Sequence, residues 1–191
     1  YLNQYFDIIA VAKDDGRLQK VRKREGVRVV DAPIERPISL LKDIIALRWL
    51  INFFKQEKPW CVHANTPKGS LLAMVAAWIC RVPHRIYTVT GLRYQGATGK
   101  FKFVLQTMER ITCACATKVI PEGQGVLKTL KNDHITNKPL EVILNGNING
   151  KDTSFFSVES LYENCELENG NKRLSIRKEE SIKDVIRKEL H

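Results

Sequence analysis

The chain has 191 residues, of which 43% are hydrophobic and 27% are charged, and its formal net charge is +10. This length and composition fit one globular domain with a tail, and they exclude a disordered chain. The positive charge predicts an anionic partner, which can be nucleic acid, an anionic membrane or a phosphorylated substrate.

Strands and helices are predicted to alternate along the chain. Strand-like segments fall at 6–12, 27–34, 60–64, 85–90, 117–120 and 140–144. Helix-like segments fall at 40–57, 70–80, 101–113, 123–131 and 181–190, whereas the basic stretch 13–26 is predicted to be irregular. This alternation predicts an α/β fold, a Rossmann-like three-layer arrangement of a parallel sheet with helices on both faces.

The cysteines and the apolar runs argue against disulfide-rich, zinc-binding and membrane-spanning classes of protein. Five cysteines stand at irregular spacings, which argues against a disulfide framework and against a structural zinc site. No metal site is therefore expected, and no cofactor is expected either. No uncharged apolar run is long enough to predict a membrane-spanning helix. The chain opens at Tyr1 without a signal-peptide pattern, and we expect that its beginning is missing.

Ligands of open parallel sheets bind outside the carboxyl ends of the strands. That rule selects the loops at 64–69, 91–99, 121–124 and 145–152. His63 ends the third strand, where a structural hydrogen bond and a substrate contact are equally good interpretations. Thr66 and Pro67 fit the cap and first turn of a helix, and Lys68 beside that helix N-terminus favours an anion.

The next two loops carry further candidates. Gly91 permits close approach of a ligand to the backbone, and Arg93 offers a forked donor for phosphate or sugar hydroxyls. Glu122 follows the fifth strand, but the segment around it is not the glycine-rich fingerprint of a dinucleotide site.

Cation and aromatic residues alternate from Lys100 to Phe103. That pattern suits a membrane interface, but we favour the first turn of an amphipathic core helix. The basic charge is compatible with RNA binding, yet no recognisable RNA-binding signature is present, so no nucleic-acid partner is expected.

Three stretches, taken in this order along the chain, are more specific than any of them alone: VHANTPKGSLLAMVAAWICRVPHRIYTVTGLR, MERITCACATKVI and VILNGNINGKDTSFF. Together they resemble the N-terminal domain of family 4-type glycosyltransferases of the GT-B fold, in the branch that builds bacterial capsular and lipopolysaccharide sugars. The segment RPISLLKD, from Arg36 to Asp43, resembles the part of that branch that precedes the Thr-Pro-Lys motif.

The resemblance implies a domain organisation. Residues 1–156 would form the Rossmann-like acceptor-side domain, lacking its first strand. Residues 157–191 would form a charged, partly helical linker towards an absent donor-binding domain. We therefore expect the fragment alone to be inactive.

The resemblance also implies an activity and a site. The full-length protein would be a retaining glycosyltransferase that moves a sugar from a nucleotide-sugar donor, held mostly by the absent domain, to a glycan or lipid-linked acceptor. It would be cytoplasmic and peripheral on the inner face of the plasma membrane. The catalytic residues would be His63 and Thr90, the latter standing where many relatives have histidine. The substrate-binding residues would be Thr66, Lys68, Gly91, Arg93, Glu122 and Asn145. Lys68 would contact an anion or order a loop.

Two other classes of function remain open from the sequence. A two-domain nucleotide-sugar epimerase would keep the fold, but few carboxylates lie at the predicted sheet edge. A non-enzymatic α/β module that binds an anionic membrane or partner is compatible with the net charge.

Overall fold

A computed structural model describes residues 2–35, 37–143 and 146, together with the backbone of 167–168 and 171–172. The chain divides into two compact units, Tyr1–Ile148 and Asn149–His191. The predicted domain boundary at 156 and the predicted helix at 181–190 lie outside the described residues.

The first unit consists of parallel strands joined by helices. In chain order its elements are β1 (Ile9–Ala12), α1 (Leu18–Glu25), β2 (Arg28–Asp31), α2 (Leu40–Glu57), β3 (Cys61–Ala64), α3 (Pro67–Ile79), β4 (His84–Val89), α4 (Gly99–Cys115), β5 (Lys118–Pro121) and α5 (Gln124–Asn132). One 3-10 turn, Leu2–Gln4, precedes β1, and another, Arg93–Gly96, precedes α4. The α/β fold class predicted from the sequence is confirmed.

The strands form two separate parallel sheets among the described residues. β1 pairs with β2, and β3, β4 and β5 pair in that order. The predicted strand at 140–144 is reduced there to a single parallel bridge between Val119 and Leu140. In the second unit, Leu167–Glu168 (β6) and Asn171–Lys172 (β7) form a short antiparallel pair.

The irregular assignment of residues 13–26 was wrong, because α1 lies there. Two signals were available: three basic residues in the last turn, which suit a helix C-terminus, and Gly26 after it. Gly26 adopts φ 64°, and its N–H donates to the carbonyl of Arg22, as expected of a glycine that ends a helix.

The core lies around β4 and α3. Tyr87, Val89 and Met74 have 1%, 0% and 0% of their surface exposed, so the carboxyl half of the middle strand of the larger sheet is buried. Helix α3 packs against α2 and α4 as well as against β3 and β4. The apolar residues of α2 fall into two groups, because Ala46, Leu50 and Phe54 are buried whereas those of the first turns are exposed.

Candidate functional site

His63 and Thr88 join the carboxyl ends of β3 and β4. The Nε2 atom of His63 lies 2.8 Å from the hydroxyl oxygen of Thr88. Thr88 is buried, whereas the imidazole faces the cleft beside β3, and desolvation by its surroundings lowers the pKa of His63. His63 is therefore neutral near pH 7. Thr88 was not predicted as a site residue, although it belongs to the quoted strand and its side chain has a hydroxyl.

Thr90 lies at the same edge. Its hydroxyl donates a hydrogen bond of 3.0 Å to the carbonyl oxygen of Asn65, in the loop after β3. The hydroxyl proton is thus committed to the backbone, while the oxygen lone pairs remain available to accept from a ligand. Thr90 therefore holds the loop in place and keeps an acceptor at the sheet edge.

Helix α3 begins as the motif predicted. Thr66 occupies the N-cap position and Pro67 the first turn, but the Thr66 side chain makes no capping hydrogen bond. The carbonyl of Thr66 instead accepts from the N–H of Ser70 at 2.7 Å. A Cβ on Gly69 would stand 2.5 Å from the Thr66 hydroxyl oxygen, so the glycine makes room for that side chain.

Lys68 is buried, with only 7% of its surface exposed. Its ammonium nitrogen lies 2.5 Å from Oδ1 of Asp43 on α2 and 2.5 Å from the carbonyl oxygen of Pro37. These contacts favour loop ordering over anion binding, the two roles that the sequence left open. They also give a physical reason for the two separated motifs, because Pro37 and Asp43 both belong to the segment RPISLLKD. The importance of Asp43 was not recognised from the sequence.

A cavity of about 780 Å³ opens at this edge. His63, Lys68 and Arg93 line it together, and Asn65, Thr66 and Gly69 complete this end of the wall. The structure therefore brings four of the predicted residues, His63, Thr66, Lys68 and Arg93, into one cleft. Thr90 adjoins it through Asn65. A volume of this order is typical of small-molecule sites.

Arg93 supplies an exposed positive charge at this end of the cleft. It stands in the 3-10 turn after β4, and no carboxylate within the described ranges forms an ion pair with it. Gly91 lies two residues earlier and is half-buried. Within 4 Å of the place where a Cβ on Gly91 would stand, the described part of the chain has no atom. An anionic group can therefore approach both Arg93 and the Gly91 backbone.

A buried carboxylic acid lies behind the turn that carries Arg93. The hydroxyl of Tyr87 donates a 2.6 Å hydrogen bond to Oε1 of Glu109 on α4, and burial raises the pKa of Glu109. A smaller pocket, lined by Arg93, Lys68 and Glu109 among others, connects this region with Ile38. Glu109 thus lines the same pocket as the turn that carries Arg93.

Glu122 stands apart from this cleft. It is half-buried directly after β5, and its N–H donates to the carbonyl of Val89 at 3.0 Å. Gly146 adopts φ 85°, and a Cβ there would stand 2.8 Å from the Glu122 carbonyl oxygen, so the turn at Gly146 packs closely on this loop. Asn145 lies outside the described residues.

The described ranges contain no candidate metal site and no helix that could span a membrane. No group of three histidine, cysteine, aspartate or glutamate side chains there lies close enough to hold a metal ion. No helix of that part is long and apolar enough to cross a bilayer.

Comparison with solved structures identifies the fold. The Anabaena protein HepE, solved in complex with UDP, is similar with a TM-score of 0.58 at 16% sequence identity. The likeness covers 85% of this chain and 42% of HepE. At this identity it shows the fold alone, which is that of one Rossmann-like half of a GT-B enzyme.

Comparison with sequences identifies the relatives. The Staphylococcus aureus capsular polysaccharide biosynthesis glycosyltransferase CapM is 38% identical over 128 residues, which are 67% of this chain and 32% of CapM. The Escherichia coli UDP-Gal:alpha-D-GlcNAc-diphosphoundecaprenol alpha-1,3-galactosyltransferase is 32% identical over 120 residues, which are 62% of this chain and 31% of that enzyme. The chain thus spans about a third of the length of each relative. The model of the glycosyl transferase 4-like domain matches residues 5–146. The chain therefore belongs to the glycosyl transferase 4-like family.

Proposed function

We propose that this chain is the acceptor-side domain of a retaining glycosyltransferase that moves a sugar from a nucleotide-sugar donor to a lipid-linked glycan acceptor. The observation that carries the proposal is the cleft at the carboxyl ends of β3 and β4, where His63 and Arg93 face one volume. The names of the relatives support it. One acts in capsular polysaccharide biosynthesis, and the other is named for a UDP-Gal donor and a diphosphoundecaprenol-linked acceptor.

Arg93 and His63 have different proposed roles in the cleft, because their side chains differ in chemistry. Arg93 has an unpaired fork of N–H donors among the described residues, which suits the phosphate oxygens of a diphosphate-linked acceptor. His63 uses one ring nitrogen for Thr88, so the other can meet the hydroxyl that attacks the donor sugar. Because the neutral imidazole is a weak base, its main contribution is to position that hydroxyl.

The proposed sugar transfer uses no metal ion and no cofactor, since the nucleotide-sugar is a substrate. We propose that the donor phosphates are held mainly by a second domain outside this chain. HepE, whose fold this domain shares in part, was solved with UDP, which supports a nucleotide site in that architecture. Residues 1–191 alone are then expected to transfer no sugar, and transfer by this fragment would contradict the division of roles.

An exposed apolar surface supports a membrane-bound acceptor. We define the docking surface as the exposed residues at the starts of α2 and α4. They are Leu40, Leu41, Ile44, Ile45, Lys100, Phe101, Lys102, Phe103 and Val104. Leu40 and Leu41 are 78% and 77% exposed, and Phe103 is 65% exposed. Ile38, before α2, and Leu105, in α4, line the same pocket, so the two helix starts are neighbours.

A contiguous patch of exposed apolar side chains of this size on a protein surface indicates an interaction site. The two lysines beside the aromatic rings suit a bilayer interface, where rings insert and amines meet lipid phosphates. The surface stands at the same end of the strands as the cleft. It would thus bring the head group of a lipid-linked acceptor to Arg93.

The relatives do not favour the epimerase, because both are named as transferases. A module that binds the membrane without enzymatic activity would retain the docking surface but would have no need for acceptor binding in the cleft. Acceptor binding therefore separates this alternative from the proposed transferase.

The proposal is tested by acceptor binding. The ¹⁵N-labelled chain is titrated with a short-chain polyprenyl diphosphate linked to N-acetylglucosamine, and amide shifts are followed by NMR. We expect saturable shifts at His63, Asn65 and Arg93. The Arg93→Met variant should bind about tenfold more weakly, which corresponds to the loss of one charge-assisted hydrogen bond of roughly 1.5 kcal/mol.

A matched control is Arg22→Met, which removes an exposed arginine of α1 away from the cleft. If the Arg93→Met and Arg22→Met variants bound the acceptor with equal affinity, the proposal that Arg93 binds the acceptor phosphates would be contradicted. Absence of saturable shifts around His63 would overturn the acceptor site itself.

A further inference from the structure

The turn that carries Arg93 has a buried residue on each side of the arginine. Leu92 and Tyr94 are 6% and 1% exposed, whereas Arg93 between them is exposed and lines the large cavity. The N–H of Gln95 donates to the carbonyl of Leu92 at 3.1 Å, which closes the 3-10 turn. The place of the guanidinium in the cleft therefore depends on what holds this turn.

The backbone at the two ends of the turn is glycine. Gly91 comes before the turn and Gly96 ends it. Neither has a positive φ, and a Cβ on either would meet no atom of the described chain within 4 Å. Glycine leaves the backbone more freedom than any other residue. The turn therefore depends on side-chain contacts for its position.

Helix α5 supplies such contacts to two consecutive residues of the turn. The Nε2 atom of Gln95 lies 3.3 Å from the hydroxyl oxygen of Thr129. The hydroxyl of Tyr94 is buried without an aligned hydrogen bond among the described residues, but the Asp133 carboxylate is close enough to raise its pKa further than burial alone does. Thr129 and Asp133 are four positions apart, so they share one face of the helix.

Helix α5 is itself fixed at this end. Arg110 of α4 donates to the carbonyl oxygen of Asp133 at 3.2 Å. The hydroxyl of Thr129 donates its proton to the carbonyl of Gly125 at 3.1 Å, so its oxygen lone pairs are directed outward to accept from Gln95. An oriented acceptor on a fixed helix can hold the turn in one place.

We propose that Thr129 is a positioning residue for Arg93, which acts through Gln95 to hold the guanidinium in the cleft. Asp133 supports the same turn through Tyr94. The inference rests on the proposed function, in which Arg93 binds the phosphate oxygens of the acceptor. An arginine that is already held in place loses less freedom when the acceptor binds, so affinity rises without a new contact to the ligand.

The test changes only the Thr129 hydroxyl. Thr129→Val keeps the branched shape and removes the acceptor of Gln95, whereas Thr129→Ser keeps the hydroxyl. In the ligand-free ¹⁵N-labelled chain, the heteronuclear NOE of the Arg93 amide should fall in the valine variant and return in the serine variant. Titration with the polyprenyl diphosphate linked to N-acetylglucosamine should show binding about threefold weaker for valine only.

A matched control is Thr107→Val on α4. The hydroxyl of Thr107 also donates to the carbonyl four residues earlier, that of Phe103 at 2.9 Å, but within the described ranges it makes no hydrogen bond to the turn. This variant should leave the Arg93 amide and the acceptor affinity unchanged.

A double-mutant cycle separates positioning from a general loss of structure. Because Thr129 acts through Arg93, adding Thr129→Val to Arg93→Met should weaken acceptor binding no further. A purely structural role would weaken binding by the same factor in both backgrounds.

Three results would overturn the inference. They are an unchanged Arg93 amide in Thr129→Val, an equal change in Thr107→Val, and an equal loss of acceptor affinity with and without Arg93. Any of them would leave acceptor binding by the parent chain as proposed. If the parent chain bound no acceptor, the proposed function would fail, and the Arg93 amide would still decide whether Thr129 holds the turn.

Discussion

The Lys68 ammonium lies 2.5 Å from the Asp43 carboxylate, and the two side chains are only 8% and 21% exposed. The contact joins the first turn of α3 to the first turns of α2. Asp43 also accepts a 3.2 Å hydrogen bond from the N–H of Ser39 at the start of α2. The ion pair therefore links the wall of the cleft to the helix that begins the docking surface.

Removing the ammonium should destabilise the domain. Lys68→Met leaves the Asp43 carboxylate partly buried without its cation, and we expect a loss of about 2–3 kcal/mol, less than for a fully buried pair because Asp43 keeps some exposure. Urea unfolding measures this loss. The double variant Lys68→Met, Asp43→Asn should lose at least about 1 kcal/mol less than the sum of the two single variants. Additive losses would mean that the two groups do not interact.

His63 should titrate below its ordinary pKa. NMR titration of the imidazole should give a midpoint under 6.5, because desolvation disfavours the charged ring. Since the folded-state pKa is lowered, the associated stability is present above about pH 6.5 and is lost as the pH falls through the folded-state pKa. His63→Gln should flatten that acidic decline. A midpoint at or above 6.5 would contradict the prediction.

Thr88 should hold the His63 ring. Thr88→Val removes the hydroxyl and should shift the His63 Nε2 resonance, whereas Thr88→Ser should restore it because serine keeps the hydroxyl. The valine variant should also lose about 1 kcal/mol of stability, the net value of one hydrogen bond. If valine and serine gave the same Nε2 shift, the 2.8 Å contact would have no role in solution.

Glu109 should make stability fall as the pH rises. Burial raises its folded-state pKa above 4.5, so its favourable contribution is fully present below the unfolded-state value and is lost as the pH rises through the folded-state pKa. Glu109→Gln keeps an acceptor for Tyr87 but no charge. Denaturant unfolding between about pH 4 and 8 should therefore show a decline in the parent chain that the variant lacks. Parallel curves for the two proteins would contradict the assignment.

The docking surface should bind anionic vesicles. In flotation at low salt, the parent chain should associate with phosphatidylglycerol vesicles, and Lys100→Ala with Lys102→Ala should weaken binding at least tenfold, at about 1 kcal/mol per lysine. Leu41→Ser with Ile45→Ser should weaken it further by reducing the apolar area. Ile79→Ser, an exposed apolar residue at the other end of α3, is the matched control. If Ile79→Ser weakened vesicle binding as much as the docking-surface variants, or if the parent chain bound no vesicles, the proposed membrane binding would be contradicted.

Periodicity and turn signals were enough to predict most of the fold. The helix predicted at 40–57 is found at Leu40–Glu57, and the strand predicted at 60–64 at Cys61–Ala64. Helix α1 was missed because its basic residues give only a weak apolar stripe, with Leu18 as its one buried residue. The strand after Leu140 was over-predicted, because an apolar run does not reveal whether an edge has a partner to pair with.

The amino-acid sequence alone is enough to predict the alternation of strands and helices, the strand ends that carry His63, Thr90 and Arg93, and the family resemblance. These depend on local spacing and on motifs that one chain displays. Which side chains meet is seen only in the folded domain. Lys68 pairs there with Asp43, 25 positions earlier in the chain, Thr88 lies against His63, and a cavity opens beside β3. Such contacts join residues from different elements, and their geometry depends on how helices and sheets pack rather than on any local pattern.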